Sequence, residues 1–409
     1  MNSTTLKAYF WRMLTLMKKG ALWAFTLVGS LFFNKSAPLR LGGARRILVI
    51  HGEHSSIGDA VLFSGMLHPL RRKFPRAKID VLIRHPAENI LQHNPNCDEL
   101  IPYAAEEGTN LLTQEFAPFK ILEGLRRRNY DLVITSEHAF RFILLSYLTG
   151  APNRVGLDLE GRGFLLTKKV AYPVYDKRNK SELEYYLDIA RALGAKVRAD
   201  PQIMQLHFSK EDAKFASKFL KQNGIGDSDF VVGVHAGGGI WKKRWPLLKF
   251  AKLADSLYEK YRAKIIAFGG KGDVELMRLM QKMMGTRLIV AAGKSTVLQT
   301  AALVGRCNLI VANDSAISHM AAASGVRVIA LFGVDSPVRW GPLNNKAILK
   351  HKRLPACNLL CNYDYLYAVD RCFKTDVPYC MDKIGVADVL SEVERIRKNQ
   401  KRRQNLEGF

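Results

Sequence analysis

At 409 residues, with 48% apolar and 24% charged side chains, the chain is too long for one small core and too apolar for a disordered polymer, so two folded domains are expected. Its 62 Lys and Arg against 37 Asp and Glu give a formal charge of +25, which excludes an acidic overall field and favours polyanions or anionic membrane surfaces as partners. The cations fall in scattered runs, among them Arg71-Arg72-Lys73, Arg126-Arg127-Arg128, Lys242-Lys243-Arg244 and the tail "RIRKNQKRRQ" (395–404), so any one run reads as a solvated helix face.

Residues 1–43 stand apart. "ALWAFTLVGSLFF" (21–33) is apolar and aromatic but only 13 residues long, and Lys18 and Lys19 precede it. A spanning helix needs about 20 residues. No small-x-small cleavage site follows, and "AYFWRMLTLMKKGALWAF" mixes aromatics, leucines and cations as an interfacial helix does. The segment is expected to anchor the protein peripherally on an anionic cytoplasmic leaflet, with a short tilted span as the alternative.

From Arg45 the pattern is α/β. "RILVIH" (46–51) is a continuous apolar run, as a buried parallel strand should be. A helix over 59–74, a strand "KIDVLIR" (78–84), a helix near 86–93, a short strand at 98–103 and a basic helix at 115–128 follow. Then come "YDLVITS" (130–136), a helix over 139–150 stopped by glycine, a short strand "NRVGLD" (153–158) and a helix over 181–194 that opens on the capping-box spacing of Ser181 and Glu184. Regularity weakens over 196–228, apart from a helix at about 209–223. A second series begins at "FVVGVHAGGG" (230–239), with strands at 263–270, 287–293, 308–314 and 327–333 and helices at 246–261, 273–284, 295–305 and 315–324. Alternation of this kind implies parallel sheets with right-handed crossovers. The expected architecture is α/β, two Rossmann-like doubly wound domains facing a cleft. The expected boundaries are an N-terminal segment 1–43, a first domain 44–205, a connection 206–228, a second domain 229–350, and a cysteine-containing segment with a basic terminal helix over 351–409.

The cysteines are unevenly placed. Cys97 and Cys307 read as isolated, buried thiols. Cys357, Cys361, Cys372 and Cys380 crowd into 24 residues as C-x3-C-x10-C-x7-C, a spacing that can hold zinc, form two disulfides or remain as thiols. A cytosolic location favours thiols.

Ligands of doubly wound sheets bind beyond the carboxyl ends of the strands. After the first strand come Ser55, Ser56, Gly58 and Asp59. The second half supplies His235, Gly237, Gly238 and Gly239, then Trp241, Lys242, Lys243 and Arg244. Gly269, Gly270, Lys271 and Asp273 follow the next strand, and Asn313, Asp314, Ser315, Ser318 and His319 a later one. Asp335, Ser336, Arg339 and Trp340 follow the last. Small residues before a helix admit an anion to free backbone N–H groups at the positive end of the dipole. "NDSAISH" offers such a junction, with Ser315 as the expected N-cap, and Lys243 and Arg244 add full charges. A pyrophosphate site in the second half is the reading that three converging clusters support.

Other motifs are decoys. "AGKST" (292–296) has Leu288 where a phosphate-binding P-loop needs glycine, so Ser295 is read as a helix cap. "DSD" (226–228) reads as a turn. His51 and His54 share an HxxH spacing but lie at a strand end. "HGEHSSIGD" has the wrong spacing for a dinucleotide fingerprint, which argues against a dehydrogenase. A non-catalytic polyanion or nucleic-acid binder would explain the charge, but no RNA-binding motif is present.

"SSIGDAVLFSGMLHPLRRKFP", "KRWP", "VANDSAISHMAAASGVRVIALFG" and "VRWGP", in that order, resemble the ADP-heptose:lipopolysaccharide heptosyltransferases, glycosyltransferase family 9, over about residues 45–390. The resemblance implies the two-Rossmann-domain GT-B architecture and an inverting transferase that works without a metal or cofactor, with an ADP-linked sugar as its donor substrate. It implies an anionic glycan acceptor and a place on the cytoplasmic face of the bacterial inner membrane, with no nucleic-acid partner. Asp59 matches the family's catalytic carboxylate, and Lys243 the lysine that meets the donor phosphate. Asp314 and the helix start after it match the segment cradling the donor. With them, His235, Gly237, Gly238, Arg244, Gly270, Asp273, Asn313, Ser315, Ser318 and His319 are expected on the donor side, and Ser56, Gly58 and Arg84 on the acceptor side. The chain departs from the family in having Ala316 where Gly is frequent, His51 where Arg is frequent, and "HAGGG" in place of more polar turns. Transfer of another hexose or heptose is therefore the alternative. As a base, Asp59 would sit where a helix dipole favours the anion and weakens it, so exclusion of water must compensate.

Overall fold

The apolar runs fold into strands that are buried on both faces. The computed structural model describes residues 43–53, 56–104, 117–174, 179–343, 346–350 and 378–407, and Gly29, Leu39, Lys177 and Cys372 singly. The expected N-terminal anchor, His54, Ser55, Cys357 and Cys361 lie outside the described residues, apart from Gly29 and Leu39. Among the described residues the chain divides into two units between His207 and Phe208.

The first unit contains β1 (Arg46–His51), α1 (Ile57–Lys73), β2 (Lys78–Arg84), β3 (Glu99–Tyr103), α2 (Leu122–Arg127), β4 (Leu132–Thr135), α3 (Phe140–Leu148), β5 (Asn153–Asp158), β6 (Lys168–Ala171) and α4 (Glu182–Ala192). The strands form one parallel sheet in the order β3-β2-β1-β4-β5-β6. Its interior is built from Leu48, Ile50, Leu82, Val133, Phe142 and Leu145, all fully buried. The sequence reading omitted β6: "KKVA" is short, and three of its four residues are exposed or half-exposed, so no apolar run announces it. The helix expected near 86–93 is a single 3-10 turn, Ala87–Ile90. The basic helix expected at 115–128 is a 3-10 turn followed by the six residues of α2.

The second unit contains α5 (Lys210–Gln222), β7 (Val231–His235), α6 (Leu247–Tyr261), β8 (Lys264–Ala267), α7 (Val274–Met283), β9 (Leu288–Val290), α8 (Val297–Val304), β10 (Leu309–Asn313), α9 (Ala316–Ala323), β11 (Arg327–Phe332), α10 (Pro337–Trp340), β12 (Lys346–Lys350), α11 (Tyr379–Asp382) and α12 (Val386–Glu407). Its parallel sheet runs β12-β11-β10-β7-β8-β9, the same order as the first sheet. Residues 206–228, read as a connection, include α5, which packs on α8 of this unit. The terminal helix returns to the core. Met381, Ile384, Val389 and Val393 join Trp245, Phe250 and Leu257 in one cluster, and Trp245 Nε1 donates to the Ile384 carbonyl at 3.0 Å. The Arg397 guanidinium lies over Phe230 and Tyr261, 4.1 and 4.3 Å from their ring centroids.

Both expected isolated cysteines are thiols. Cys307 is buried, and burial pushes its thiol up to about 12. Cys97 is half-buried, and its thiol is raised to about 11, chiefly by burial. Among the described residues no group of three or more His, Cys, Asp or Glu side chains stands as a metal site. No described helix is long and apolar enough to cross a membrane.

Gly156 of β5 pairs in register with Thr135 of β4. A Cβ there would lie 2.3 Å from Thr135 Cγ2 and 2.8 Å from the Thr135 carbonyl oxygen. Because one of those neighbours is backbone, the strain cannot be relieved by a rotamer change. Gly156→Ala is expected to destabilise the protein by about 1–3 kcal/mol, read as a lower urea midpoint in the unfolding curve of the full chain.

Candidate active site

In both sheets the strand order reverses between the two central strands, β1 and β4 in one and β7 and β10 in the other. Loops leaving such a pair run to opposite faces of the sheet and leave a crevice at the carboxyl ends. The predicted site residues were read from strand ends, and most of them gather at these two points.

At the first reversal, Ser56 caps α1 with its Oγ, accepting the Asp59 N–H at 3.4 Å. Asp59 is therefore not the cap. It is the third helical residue, buried at 8% exposure beside buried Gly58. His51 ends β1, stacked on Phe63 at 4.2 Å, with its Nδ1 2.9 Å from Ser136 Oγ and 3.4 Å from Glu137 Oε1. Arg84, the predicted acceptor contact, ends β2 and donates to the Glu53 carbonyl at 3.3 Å. Arg141 pairs with the Glu53 carboxylate at 2.9 Å. Ser136, Glu137 and Arg141 escaped the sequence reading because the strand-end rule was applied in the first half only to β1. Applied to "YDLVITS", it points straight at them.

At the second reversal the glycine turn after β7 is stitched from several sides. Asn313 Nδ2 donates to the carbonyls of Ala236 at 3.1 Å and Gly237 at 3.0 Å, and its Oδ1 accepts the Trp245 N–H at 2.9 Å. Arg244 donates through Nε and Nη2 to the Gly238 carbonyl at 2.9 and 2.6 Å. Gly238 has φ +129°, a conformation that side chains rarely adopt. Asp273 packs beneath Gly237 and Gly269, where a Cβ would lie 2.3 Å from its Oδ1 and 2.7 Å from its Cβ respectively, and accepts the Gly270 N–H at 2.9 Å. His235 Nε2, 3.8 Å away, is the main influence holding the Asp273 carboxyl below its usual range. Ser318 Oγ donates to the Asn313 carbonyl at 3.1 Å, and His319 is buried in α9.

Two expected caps are corrected. Ser315 occupies the N-cap position of α9 but its Oγ turns away to His235 Nδ1 at 2.9 Å. The histidine competes successfully for the hydroxyl, so no side chain caps α9. Thr296 rather than Ser295 caps α8, in a reciprocal box with Gln299, while Ser295 Oγ bonds Thr300 Oγ1 at 2.7 Å.

Lys243 is the charged centre of this unit's site. Its Nζ lies 2.9 Å from Asp314 Oδ2 and also pairs with Asp335. Burial alone would lower the ammonium's affinity for its proton, but the two carboxylates outweigh it and raise it. Asp314 is pushed above the usual carboxylate range by burial, with Lys243 opposing and Asp335 adding to the rise. Asp335 was seen at a strand end, but its partnership with Lys243 depends on β10 and β11 lying side by side.

Each unit is a parallel α/β sheet with polar side chains gathered at its strand-order reversal, and the chain is a glycosyltransferase. Residues 119–358, more than half of its length, match glycosyltransferase family 9 (heptosyltransferase), and the chain belongs to that family. It is 28% identical over 315 residues to lipooligosaccharide heptosyltransferase 2 of Haemophilus ducreyi, covering 72% of this chain and 86% of that one. It is 27% identical over 317 residues to lipopolysaccharide heptosyltransferase 2 of Escherichia coli, covering 74% and 86%. The fold is shared with the glycosyltransferase family 9 crystal structure from Veillonella parvula at 24% identity, with a TM-score of 0.71 and coverage of 88% and 98%. It is shared with E. coli ADP-heptose heptosyltransferase II at 22% identity, with a TM-score of 0.65 and coverage of 87% and 99%.

Lys243→Met removes the ammonium shared by two buried carboxylates and is expected to cost about 3–5 kcal/mol. An acid whose affinity for its proton is raised on folding stabilises the folded state as pH falls, so the deficit should be largest at neutral pH and above and should shrink toward the ordinary aspartate range. Thermal melting of wild type and variant between pH 4 and pH 8 (roughly the window that a raised carboxyl spans) measures both.

Proposed function

We propose that the chain moves a heptose from an ADP-linked donor to a lipopolysaccharide core or related envelope glycan, in a single displacement that inverts the anomeric carbon and uses no metal. Membership of the heptosyltransferase family and the relatives named above support the substrate class. The observation that carries the reading is Asp59: a buried carboxylate in the first turn of α1, freed from capping duty by Ser56, at the strand-order reversal of the first sheet.

The division of labour follows the units, taken as an acceptor domain over 44–205, a connection over 206–228 and a donor domain over 229–350. The first holds the acceptor near Ser56, Gly58 and Arg84. Asp59 takes the proton of the acceptor hydroxyl as that oxygen bonds to the anomeric carbon. The bond from that carbon to the diphosphate breaks, and the diphosphate leaves with the electron pair. The second unit holds the donor. The backbone of the Gly237–Gly239 turn, the N-terminal turn of α9, Arg244 and Lys243 meet the phosphates, with His235, Asp273, Asn313 and Ser318 fixing the turns and Asp314 and His319 beside the sugar. The uncapped start of α9 keeps its N–H groups available to an anion. Lys243 is preorganised by its two carboxylates, so little rearrangement accompanies the developing charge. Residues 1–43 hold the enzyme peripherally on the anionic cytoplasmic face of the inner membrane, a placement to which the charge of +25 contributes.

Asp59→Asn is expected to reduce sugar transfer by about 10²- to 10⁴-fold while the melting temperature stays close to wild type; retained turnover would remove Asp59 from the chemistry. ADP-heptose is expected to raise the melting temperature more than UDP-glucose does, and proton NMR of the product to show the inverted linkage. Stabilisation by the UDP sugar instead would assign the chain a different donor.

A further inference from the structure

Gly29 is the described residue of the apolar run 21–33. It is helical and buried, and it belongs to the first unit. A Cβ built on it would lie 2.5, 2.7 and 2.8 Å from Cζ, Cε2 and Cε1 of Phe164. The bare backbone at Gly29 therefore rests on the Phe164 ring, an approach that a residue without a side chain allows. Glycine is a poor helix former, so this contact accounts for its place better than local propensity does.

Phe164 is 3% exposed and sits in the 3-10 turn Arg162–Leu165, between β5 and β6. It forms a cluster with Ile143, Leu165 and Leu166, against which Phe140 and Leu144 pack. Phe140 stacks on Phe164 with ring centroids 5.4 Å apart. Phe140, Ile143 and Leu144 are spaced i, i+3 and i+4 on α3 and share one side of it. Phe142 and Leu145 of the same helix belong to the sheet core. α3 is thus apolar on two sides, and a helix of that kind is stable only when both are covered. The sheet covers one side. Phe164, on which Gly29 rests, belongs to the other.

The sequence around Gly29 suits such a surface. Phe25, Phe32 and Phe33 stand at the i−4, i+3 and i+4 spacings from it. The run falls short of the ~20 residues that a membrane crossing needs, and an apolar face of the protein is another place to bury it. The connection from the run to β1 is short. Such a connection holds a segment near its own domain at an effective concentration on the order of mM, so even weak packing is populated.

We propose that the apolar run 21–33 docks on the face of the first unit formed by α3 and Phe164, with Gly29 as the point of closest approach. The N-terminal segment is then a fixed mount and not a loose tether. α3 also carries Arg141, which pairs with Glu53 at the strand-order reversal of the first sheet. A run docked on this helix holds that crevice in a set orientation to whatever the preceding residues bind. The proposal goes beyond the membrane placement of residues 1–43 and does not depend on the roles given to Asp59 or to the donor.

Amide hydrogen exchange of the full chain, read by mass spectrometry, tests the docking. Peptides covering 21–33 and 140–148 are compared in wild type, G29L, F164A and the double variant, with and without vesicles of phosphatidylethanolamine and phosphatidylglycerol. In G29L the added side chain strikes the ring, and both peptides are expected to exchange about tenfold faster without vesicles. In the F164A background the same change should have little further effect, because the ring it strikes is gone. Unchanged exchange of both peptides in G29L, or effects of the two changes that simply add, would overturn the proposal. If F164A does not fold, G29L against wild type still decides. Protection of 21–33 that appears only with vesicles, while 140–148 is indifferent to G29L, would give the run to the bilayer: the docking would fall and the membrane placement would stand.

Discussion

A parallel sheet with crossovers on both faces must change direction somewhere, and at that place two neighbouring strands send their chains to opposite sides. No connection closes the gap between their carboxyl ends, so polar groups placed there meet substrate instead of a covering helix. The constraint operates twice in this protein, with the same strand order in each unit. It explains why buried His51, Glu137, His235 and Asn313 stand at or just beyond the ends of β1, β4, β7 and β10.

The two reversals treat buried charge in opposite ways. In the second unit Asp314 and Asp335 surround Lys243, and the ammonium compensates anions that would otherwise be costly to bury. The outcome is a rigid centre whose charge is set by the protein itself. In the first unit Arg141 pairs with Glu53, and Glu137 has the His51 imidazole for a neighbour.

Stitching residues give the glycine turn of the second unit its precision. Asn313 uses its whole amide to tie β10 to the turn after β7 and to Trp245, and Trp245 in turn reaches Ile384 near the terminal helix. The glycine turn therefore inherits its shape from a core cluster that includes residues over 130 positions away in the chain. His235 acts similarly, drawing Ser315 out of its capping position and facing Asp273 across the turn.

Much of this was legible in the residues alone. "RILVIH", "KIDVLIR" and "NRVGLD" became strands with the expected limits, since a run of branched apolar side chains has one low-energy use in a doubly wound sheet. Asp59 and the glycine turns of the second unit were singled out because they lie in the segments that follow such runs. The short edge strand "KKVA" was not found and the helix expected near 86–93 is only a 3-10 turn, because neither segment carries a strong hydrophobic period. Local order thus determined the strands, the helix starts and the residues that follow them. Only the tertiary structure decided that Ser136 and Glu137 stand beside His51, that Asp314 and Asp335 share Lys243, and that Ser315 serves His235 instead of its own helix. Those contacts join residues tens of positions apart, and their energies depend on burial and on neighbouring charge, which exist only once the sheets have formed.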